Sequence, residues 1–324
     1  MSTEAGERTT LRGRLLVAGA RLLAALPEGP LVAASDSIGE LWYRVAPGRA
    51  GQVRANLRRV AEGLAASGRG TARARRAATD PAALEWLVRA CFRHTVRYYL
   101  EVARADGLDP GTSLARIDLE TPDEIREALQ SGRPSILVGM HFGAIELPAM
   151  YIANALGRPV TAPMEAVADP GLQRWFRETR ARVGVNIIPV KGARRTLLAA
   201  LRRGETVGLV NDRDLLGGGL LVPFFGAPAP IPAGVAVLAL ETGAEVYVAA
   251  CRRLAGGRYA GRMIPVPAPA PDAGTKRERT EALTAALART FEDVLADAPE
   301  QWWGAAHPIW PDLAVANHEA EAAA

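Results

Sequence analysis

The stretch SILVGMHFGAIELPAM, residues 135–150, decides how the chain reads. Its first part, SILVGM (135–140), is a short unbroken apolar run of the kind that parallel sheets bury on both faces. The part from Glu146 onward looks helical. Between them stands His141, five residues before Glu146. A strand, a turn and a helix make half of an α/β repeat. In open α/β sheets, ligands bind outside the carboxyl ends of the strands.

Further along the chain, VTAPM (160–164), VNIIPV (185–190), TVGLVN (206–211) and AEVYVAAC (244–251) are apolar runs of similar length. Helical stretches near 145–156, 170–183, 193–203 and 233–242 separate them. A last helix is expected over about 276–297, after the proline-rich VPAPAPDAG. This alternation predicts an α/β fold with a central, mostly parallel sheet flanked by helices. Upstream, residues 11 to about 62 read as two or three helices, and SGRGTARARRAATDP (67–81) reads as a linker. Asp80 and Pro81 start a helix that runs to about Arg104. Thr121-Pro122-Asp123-Glu124 reads as a capping box before a short helix that Gly132 ends. Two regions follow: amphipathic helices with a basic linker over 1–78, and an α/β core over 79–324.

Composition narrows the function. Hydrophobic residues make up 49% of the 324, enough for a sizeable core. Eight arginines (49, 54, 58, 59, 69, 73, 75 and 76) face one acid, Glu62, between Arg49 and Arg76. Such a block suits an anionic membrane surface or a nucleic acid. No aromatic interleaving or nucleic-acid module accompanies it, so a nucleic-acid partner is not expected. LLVAGARLLAAL (15–26) is too short and interrupted to span a bilayer but suits a helix lying in the interface. Cys91 and Cys251 read as reduced and structural, which fits a cytoplasmic protein. The four histidines, 94, 141, 307 and 318, are scattered and suggest no metal site. No cofactor is expected, since nucleophile-elbow, P-loop and dinucleotide signatures are all missing.

Three strand ends carry titratable groups: His141 after SILVGM, Glu165 after VTAPM, and Asp212-Arg213-Asp214 after TVGLVN. Five residues of regular helix turn through about 140°, so His141 and Glu146 would diverge on one helix. Set in the turn before the helix, the ring of His141 can fold back toward Glu146. A carboxylate on one ring nitrogen fixes the tautomer and leaves the other nitrogen as a base.

HFGAIE resembles the H-x4-D/E motif of glycerolipid and lysophospholipid acyltransferases. More of the chain resembles one bacterial branch, the lipid A late acyltransferases and the actinobacterial phosphatidylinositol mannoside acyltransferases. RANLRRV is similar to that branch's N-terminal arginine-asparagine-leucine signature. EAVADPGLQRWFRETRARVG resembles its segment from an acid to an R-x3-G ending. NDRDLLGGGLLVPFFGAPAPIPAGVAVLALETGAEV resembles its acid-R-D, F-F-G, P-x-G and E-T-G-A series. PEQWWGAAHPIW is similar to its closing tryptophan-rich segment. The resemblance covers residues 11 to 312 in order. Ile145 stands where the branch often has tryptophan, and Asp212 where the mannoside enzymes have glutamate.

The resemblance implies acyl transfer from an acyl thioester, on coenzyme A or an acyl carrier protein, to a hydroxyl of a glycolipid or phospholipid. His141 is then the general base, a role worth about 10² to 10⁴ in rate. Either Glu146 or Asp212 orients its ring. Arg213, Arg180 and Lys191 are expected at phosphate groups, with Glu165 and Asp214 in the substrate site. Phe224, Phe225 and Gly226 are expected to wall the acyl channel. The protein is expected to sit peripherally on the cytoplasmic face of the plasma membrane. Two other readings remain: Asp212 and Asp214 as the D-x-D of a metal-dependent glycosyltransferase, or a non-catalytic membrane-binding protein.

Overall fold

The structure is a computed structural model that describes residues 10–214 and 217–314. His318 lies outside the described residues. The described residues form nine strands: β1 (Ile117–Leu119), β2 (Ser135–Gly139), β3 (Val160–Met164), β4 (Val185–Pro189), β5 (Thr206–Val210), β6 (Leu220–Phe224), β7 (Ala227–Ile231), β8 (Glu245–Arg253) and β9 (Tyr259–Val266). Seven form one sheet in the order β1-β9-β8-β2-β5-β3-β4. Its neighbours run parallel except β8 and β9. Alternate side chains leave β2 on opposite faces. Ile136 and Val138 enter one apolar core and Leu137 another. The expected α/β sheet is therefore present and covered on both faces.

Four strands, β1, β6, β7 and β9, escape the sequence pattern. β1 is only three residues long, and β9 (YAGRMIPV) mixes glycine and arginine into its run. β7 (APAPI) contains two prolines and reads as a loop, yet it pairs with β6 in a separate two-stranded hairpin. Prolines are tolerated there because the pair is all edge. Phe225 and Gly226 form the two-residue turn, with φ of 47° and 77°. That turn type demands positive φ at both positions. The Phe225 N–H donates to Glu292 Oε1 at 2.5 Å.

Two capping and linker expectations are corrected. Residues 67–81 are not an open linker, because a helix (Ala72–Arg76) forms there and buries Ala74 with Ala77 beyond it. Thr121 does not cap its helix; its hydroxyl accepts the Met263 N–H at 3.0 Å, and Pro122 stands at the N-cap. Asp80 does cap the helix Pro81–Ala103, accepting from the Ala82 and Ala83 N–H groups.

The first three described helices are Leu11–Ala25, Glu28–Val45 and Pro47–Ser67. The third sends Val53, Leu57, Val60 and Leu64 into the same core as β2. Its polar residues clamp the C-terminal segment. Asn56 Nδ2 donates to the Ala305 and His307 carbonyls at 2.9 and 2.7 Å. Gln52 Nε2 reaches Asn56 Oδ1 and the Leu313 carbonyl. Arg59 pairs with both oxygens of Asp312 and lies over the Trp310 ring.

Half of the arginine block meets acids of the protein: Arg54, Arg59, Arg69 and Arg76. Arg54 forks onto Glu85, Arg69 bridges Glu292 and Asp293, and Arg76 faces Asp80. Arg75 donates to the Gly70 carbonyl, and Arg73 lies over Trp86. Except for Asp80, these acids come from elements distant in sequence, so the block looks less balanced when read linearly.

Asn56→Ala would leave two carbonyls of the C-terminal segment short of a donor, at about 1–3 kcal/mol for each buried group left unmet. We expect urea unfolding to show a loss of about 2–4 kcal/mol on that basis. An unchanged midpoint would contradict the clamp.

Candidate active site

Sheet register brings the central pair together. β2 and β5 are parallel neighbours with Gly139 opposite Val210. Two residues on, each strand has left the ladder, and His141 stands beside Asp212. The Asn211 N–H donates to the Gly139 carbonyl at 3.1 Å and holds the two exits side by side.

Asp212 is fully buried, with its side chain 0% exposed. A carboxylate in such a place needs donors on both oxygens. Oδ1 takes His141 Nδ1 at 2.6 Å. Oδ2 takes the His141 backbone N–H at 3.0 Å and the Trp302 indole N–H at 2.8 Å. Burial pushes the pKa of Asp212 up, but the His141 ring and these hydrogen bonds outweigh it and hold the group below its ordinary value of 3.8. The aspartate thus stays ionised while buried. No arginine or lysine forms an ion pair with it among the described residues, so the imidazole is its natural counter-charge once protonated.

The other face of the ring is equally defined. Arg213 Nη2 donates to His141 Nε2 at 2.9 Å. Neighbours therefore assign the proton to Nδ1 and a lone pair to Nε2. Trp303 meets the ring edge-on at 4.6 Å between centroids and stacks on Tyr98 at 4.0 Å. Phe142 bridges to Trp302 as an isolated β-pair, and the Gly304 N–H donates to the His141 carbonyl. A Cβ on Gly304 would sit 2.7 Å from Asp212 Oδ2 and 2.8 Å from Trp302 Nε1, so the approach requires glycine. Sequence reasoning saw the tryptophan-rich segment but not that Trp302, Trp303 and Gly304 wall the site. Nothing local in PEQWWGAAHPIW says where it folds.

The remaining expected residues divide. Glu146 opens the helix Glu146–Asn154 and binds Arg180 Nη2 at 2.5 Å rather than the His141 ring. The loop 141–145 turns the ring toward β5 instead of back over the helix. Glu165 and Lys191 are exposed. β3 stays in register with β5 only through Thr161, opposite Val207, so the two strand ends splay and carry Glu165 away. Asp214 accepts the Gly219 N–H at 2.8 Å. Asp212 and Asp214 therefore face different partners and offer no joint metal site. No group of three or more His, Cys, Asp or Glu among the described residues is placed to hold a metal. Phe224 is fully buried against Trp302 and Trp310 and Phe225 is buried beside it, so these two rings belong to the core, while Gly226 is exposed.

Other titratable groups are structural in their surroundings. His94 is pushed well below its usual pKa by burial and then by Arg253 and Arg97. His307 is pushed down to about 4 by burial, Arg213 and His141. Burial raises Cys91 and Cys251 to about 12, and neither thiol is in a disulfide. Beside the catalytic loop lies a cavity of about 910 Å³, bounded by Glu146 and Arg180 at one end and by Arg116 and Tyr259 at the other.

The parallel α/β sheet thus places a histidine–aspartate pair at adjacent strand ends, with the carboxylate on Nδ1 and Arg213 on Nε2. The family described as bacterial lipid A biosynthesis acyltransferase matches residues 8–304. A phosphatidylinositol mannoside acyltransferase of Mycolicibacterium smegmatis is 30% identical over 220 residues, 67% of this chain and 70% of that protein. One from Mycobacterium tuberculosis is 30% identical over 212 residues, 64% of this chain and 65% of that protein. The chain belongs to the bacterial lipid A biosynthesis acyltransferase family and is an acyltransferase.

Because folding depresses the pKa of Asp212, its ionisation adds stability above the ordinary value of 3.8, and this is lost as pH falls through the folded-state value. The stability gap between the wild type and Asp212→Asn should therefore be widest above pH 3.8 and narrow below it. Acid-to-neutral unfolding series of both proteins measure it, and a gap independent of pH would contradict the assignment.

Proposed function

We propose that the protein moves a fatty acyl chain from an acyl thioester, on coenzyme A or an acyl carrier protein, to a hydroxyl of a glycolipid acceptor, with His141 as general base. The observation that carries this reading is the buried Asp212 bound to Nδ1, which leaves Nε2 as the basic nitrogen facing the substrate side. The acceptor hydroxyl takes the place that Arg213 holds at Nε2. Its proton passes to Nε2 as its oxygen attacks the thioester carbonyl. The tetrahedral oxyanion then collapses, the carbon–sulfur bond breaks, and the proton returns from Nε2 to the departing thiolate. Asp212 stabilises the imidazolium between these steps, as the acid of a hydrolase triad does. Arg213, once displaced, is free to meet an anionic group of the substrate. Glu146 acts at one remove by holding Arg180. The names of the mycobacterial relatives favour a phosphatidylinositol mannoside type of acceptor.

We also assign the enzyme to the cytoplasmic face of the plasma membrane, peripherally and on anionic lipid. Leu11, Leu15, Leu22 and Leu26 are exposed on or just beyond the helix Leu11–Ala25. At roughly 100° per residue they lie within about 60° of one another. Arg12 and Arg14 are exposed and flank the stripe. Ile38, Leu41 and Val45 add an exposed apolar run on the next helix. No described helix is long and apolar enough to cross a membrane. Arg54, Arg59, Arg69 and Arg76 of the arginine block are held in ion pairs, so these helices carry the docking in this reading.

Two experiments test this. Purified His141→Ala, folded by thermal melt, should lose acyl transfer by about 10²-fold or more; a variant retaining most of its activity would sink the base assignment. Leu15→Glu with Leu22→Glu should abolish co-sedimentation with acidic liposomes, whereas Arg54→Glu should act mainly on stability. The opposite pattern would return docking to the arginine block.

A further inference from the structure

We propose that the indole N–H of Trp303 is the oxyanion donor of the reaction. The inference rests on the acyltransferase reading and adds a catalytic residue to that site. When the acceptor oxygen bonds to the thioester carbon, its proton goes to His141 Nε2 and the carbonyl π pair moves onto the carbonyl oxygen. That oxygen stays negative until the pair returns and the carbon–sulfur bond breaks. The bonding electrons leave with sulfur, and the proton passes from Nε2 to the thiolate. A donor fixed in advance at the oxygen stabilises this state without having to reorganise.

The catalytic loop has no such donor to give. Each backbone N–H from His141 to Ala144 already has an acceptor within the protein. His141 donates to Asp212 Oδ2 at 3.0 Å. Phe142 donates to the Met140 carbonyl at 2.7 Å, Gly143 to the Gln301 carbonyl at 3.1 Å and Ala144 to the Cys251 carbonyl at 2.8 Å. The donor therefore comes from a side chain. Two side chains in contact with the imidazole carry a buried nitrogen with no hydrogen-bond partner among the described residues: Trp303 at Nε1 and Arg213 at Nε. Arg213 has to leave Nε2 before an acceptor can bind there, so it is not fixed in advance.

Trp303 is fixed. Its neighbours in the chain are bonded to both members of the catalytic pair. The Trp302 indole N–H donates to Asp212 Oδ2 at 2.8 Å, and the Gly304 N–H donates to the His141 carbonyl at 3.1 Å. The Trp303 ring stacks on Tyr98 at 4.0 Å and meets the His141 ring at 4.6 Å and 87°. In a near-attack complex the thioester carbon stands about 3–3.5 Å from the hydroxyl oxygen held at Nε2, so its carbonyl oxygen falls among the groups that touch the imidazole. A buried N–H left unmet is destabilising, and its retention calls for a partner that the protein does not itself supply. Indole suits the task because it only donates. It neither competes with His141 for the acceptor's proton nor changes the charge of the Asp212–His141 pair.

Removing the N–H while keeping the ring tests the assignment. Trp303→Phe is compared with replacement of Trp303 by benzothienylalanine, an isostere with sulfur in place of N–H. The donor is an acyl-pantetheine thioester, pantetheine being the arm that coenzyme A and acyl carrier protein share, and the acceptor is phosphatidylinositol mannoside. We expect kcat to fall about 10²- to 10³-fold in both variants, with KM within about threefold of the wild type. Two inhibitors separate catalysis from packing: a trifluoromethyl ketone analogue of the donor, tetrahedral as its hydrate, and an alkyl thioether analogue with no carbonyl oxygen. The ketone should bind at least about tenfold more weakly to the variants and the thioether within about twofold of the wild type. Turnover by the isostere within about threefold of the wild type would overturn the proposal. So would equal weakening of both inhibitors, which would make Trp303 a packing residue that positions His141. Unfolding of the isostere would overturn it too, since the N–H would then serve the fold. Failure of the underlying reading looks different: turnover that survives His141→Ala.

Discussion

A fully buried carboxylate that forms no ion pair with an arginine or lysine among the described residues is the condition that the rest of the site satisfies. Asp212 is buried between β2 and β5, and leaving such a group short of donors costs several kcal/mol. The three donors come from two directions. His141 gives its backbone N–H and ring Nδ1 from one strand end, and Trp302 gives its indole N–H from near the other end of the chain. The same bonds that make Asp212 tolerable fix the imidazole tautomer. Stability and catalytic orientation are therefore one interaction here, and the C-terminal segment belongs to the site as much as the histidine does.

This gives the separated sequence signatures a common physical purpose. RANLRRV and PEQWWGAAHPIW are two halves of one clamp: Asn56 holds the Ala305 and His307 carbonyls, and Arg59 holds Asp312 under the stacked Trp310. The F-F-G turn completes it, since Phe224 stacks on Trp310 and accepts its indole N–H. None of these residues touches the reacting atoms. They set where Trp302 stands, and Trp302 sets Asp212. An ordered series of motifs along the chain is, in three dimensions, a chain of packing constraints ending at one carboxylate.

The sheet was largely legible because β2, β3, β4, β5 and β8 are short apolar runs bounded by polar turns, and burial on both faces leaves little else for such runs to become. The pairing of His141 with Asp212 was half legible. Both follow strands, but only the register of β2 against β5 shows that they meet and that Glu146 does not. Glu165 looked equivalent until the splay of β3 from β5 carried it off. Part of the arginine block is less free than it reads for a related reason: Glu85, Asp312 and Glu292, which pair with Arg54, Arg59 and Arg69, lie away in sequence, and charge patterning along a chain does not see them. Prolines in β7 and the mixed composition of β9 hid strands whose identity comes from partners and not from propensity.

Coupling between the two central residues is the most direct test. Turnover of an acyl thioester onto a lipid acceptor should be measured for His141→Ala, Asp212→Asn and the double variant, with folding checked for each. If Asp212 acts only by orienting and charging the His141 ring, its substitution should cost heavily in the wild-type background and almost nothing once His141 is gone. Costs that simply add would mean that the aspartate acts independently of the histidine, and the account of the site as one Asp–His unit would be wrong.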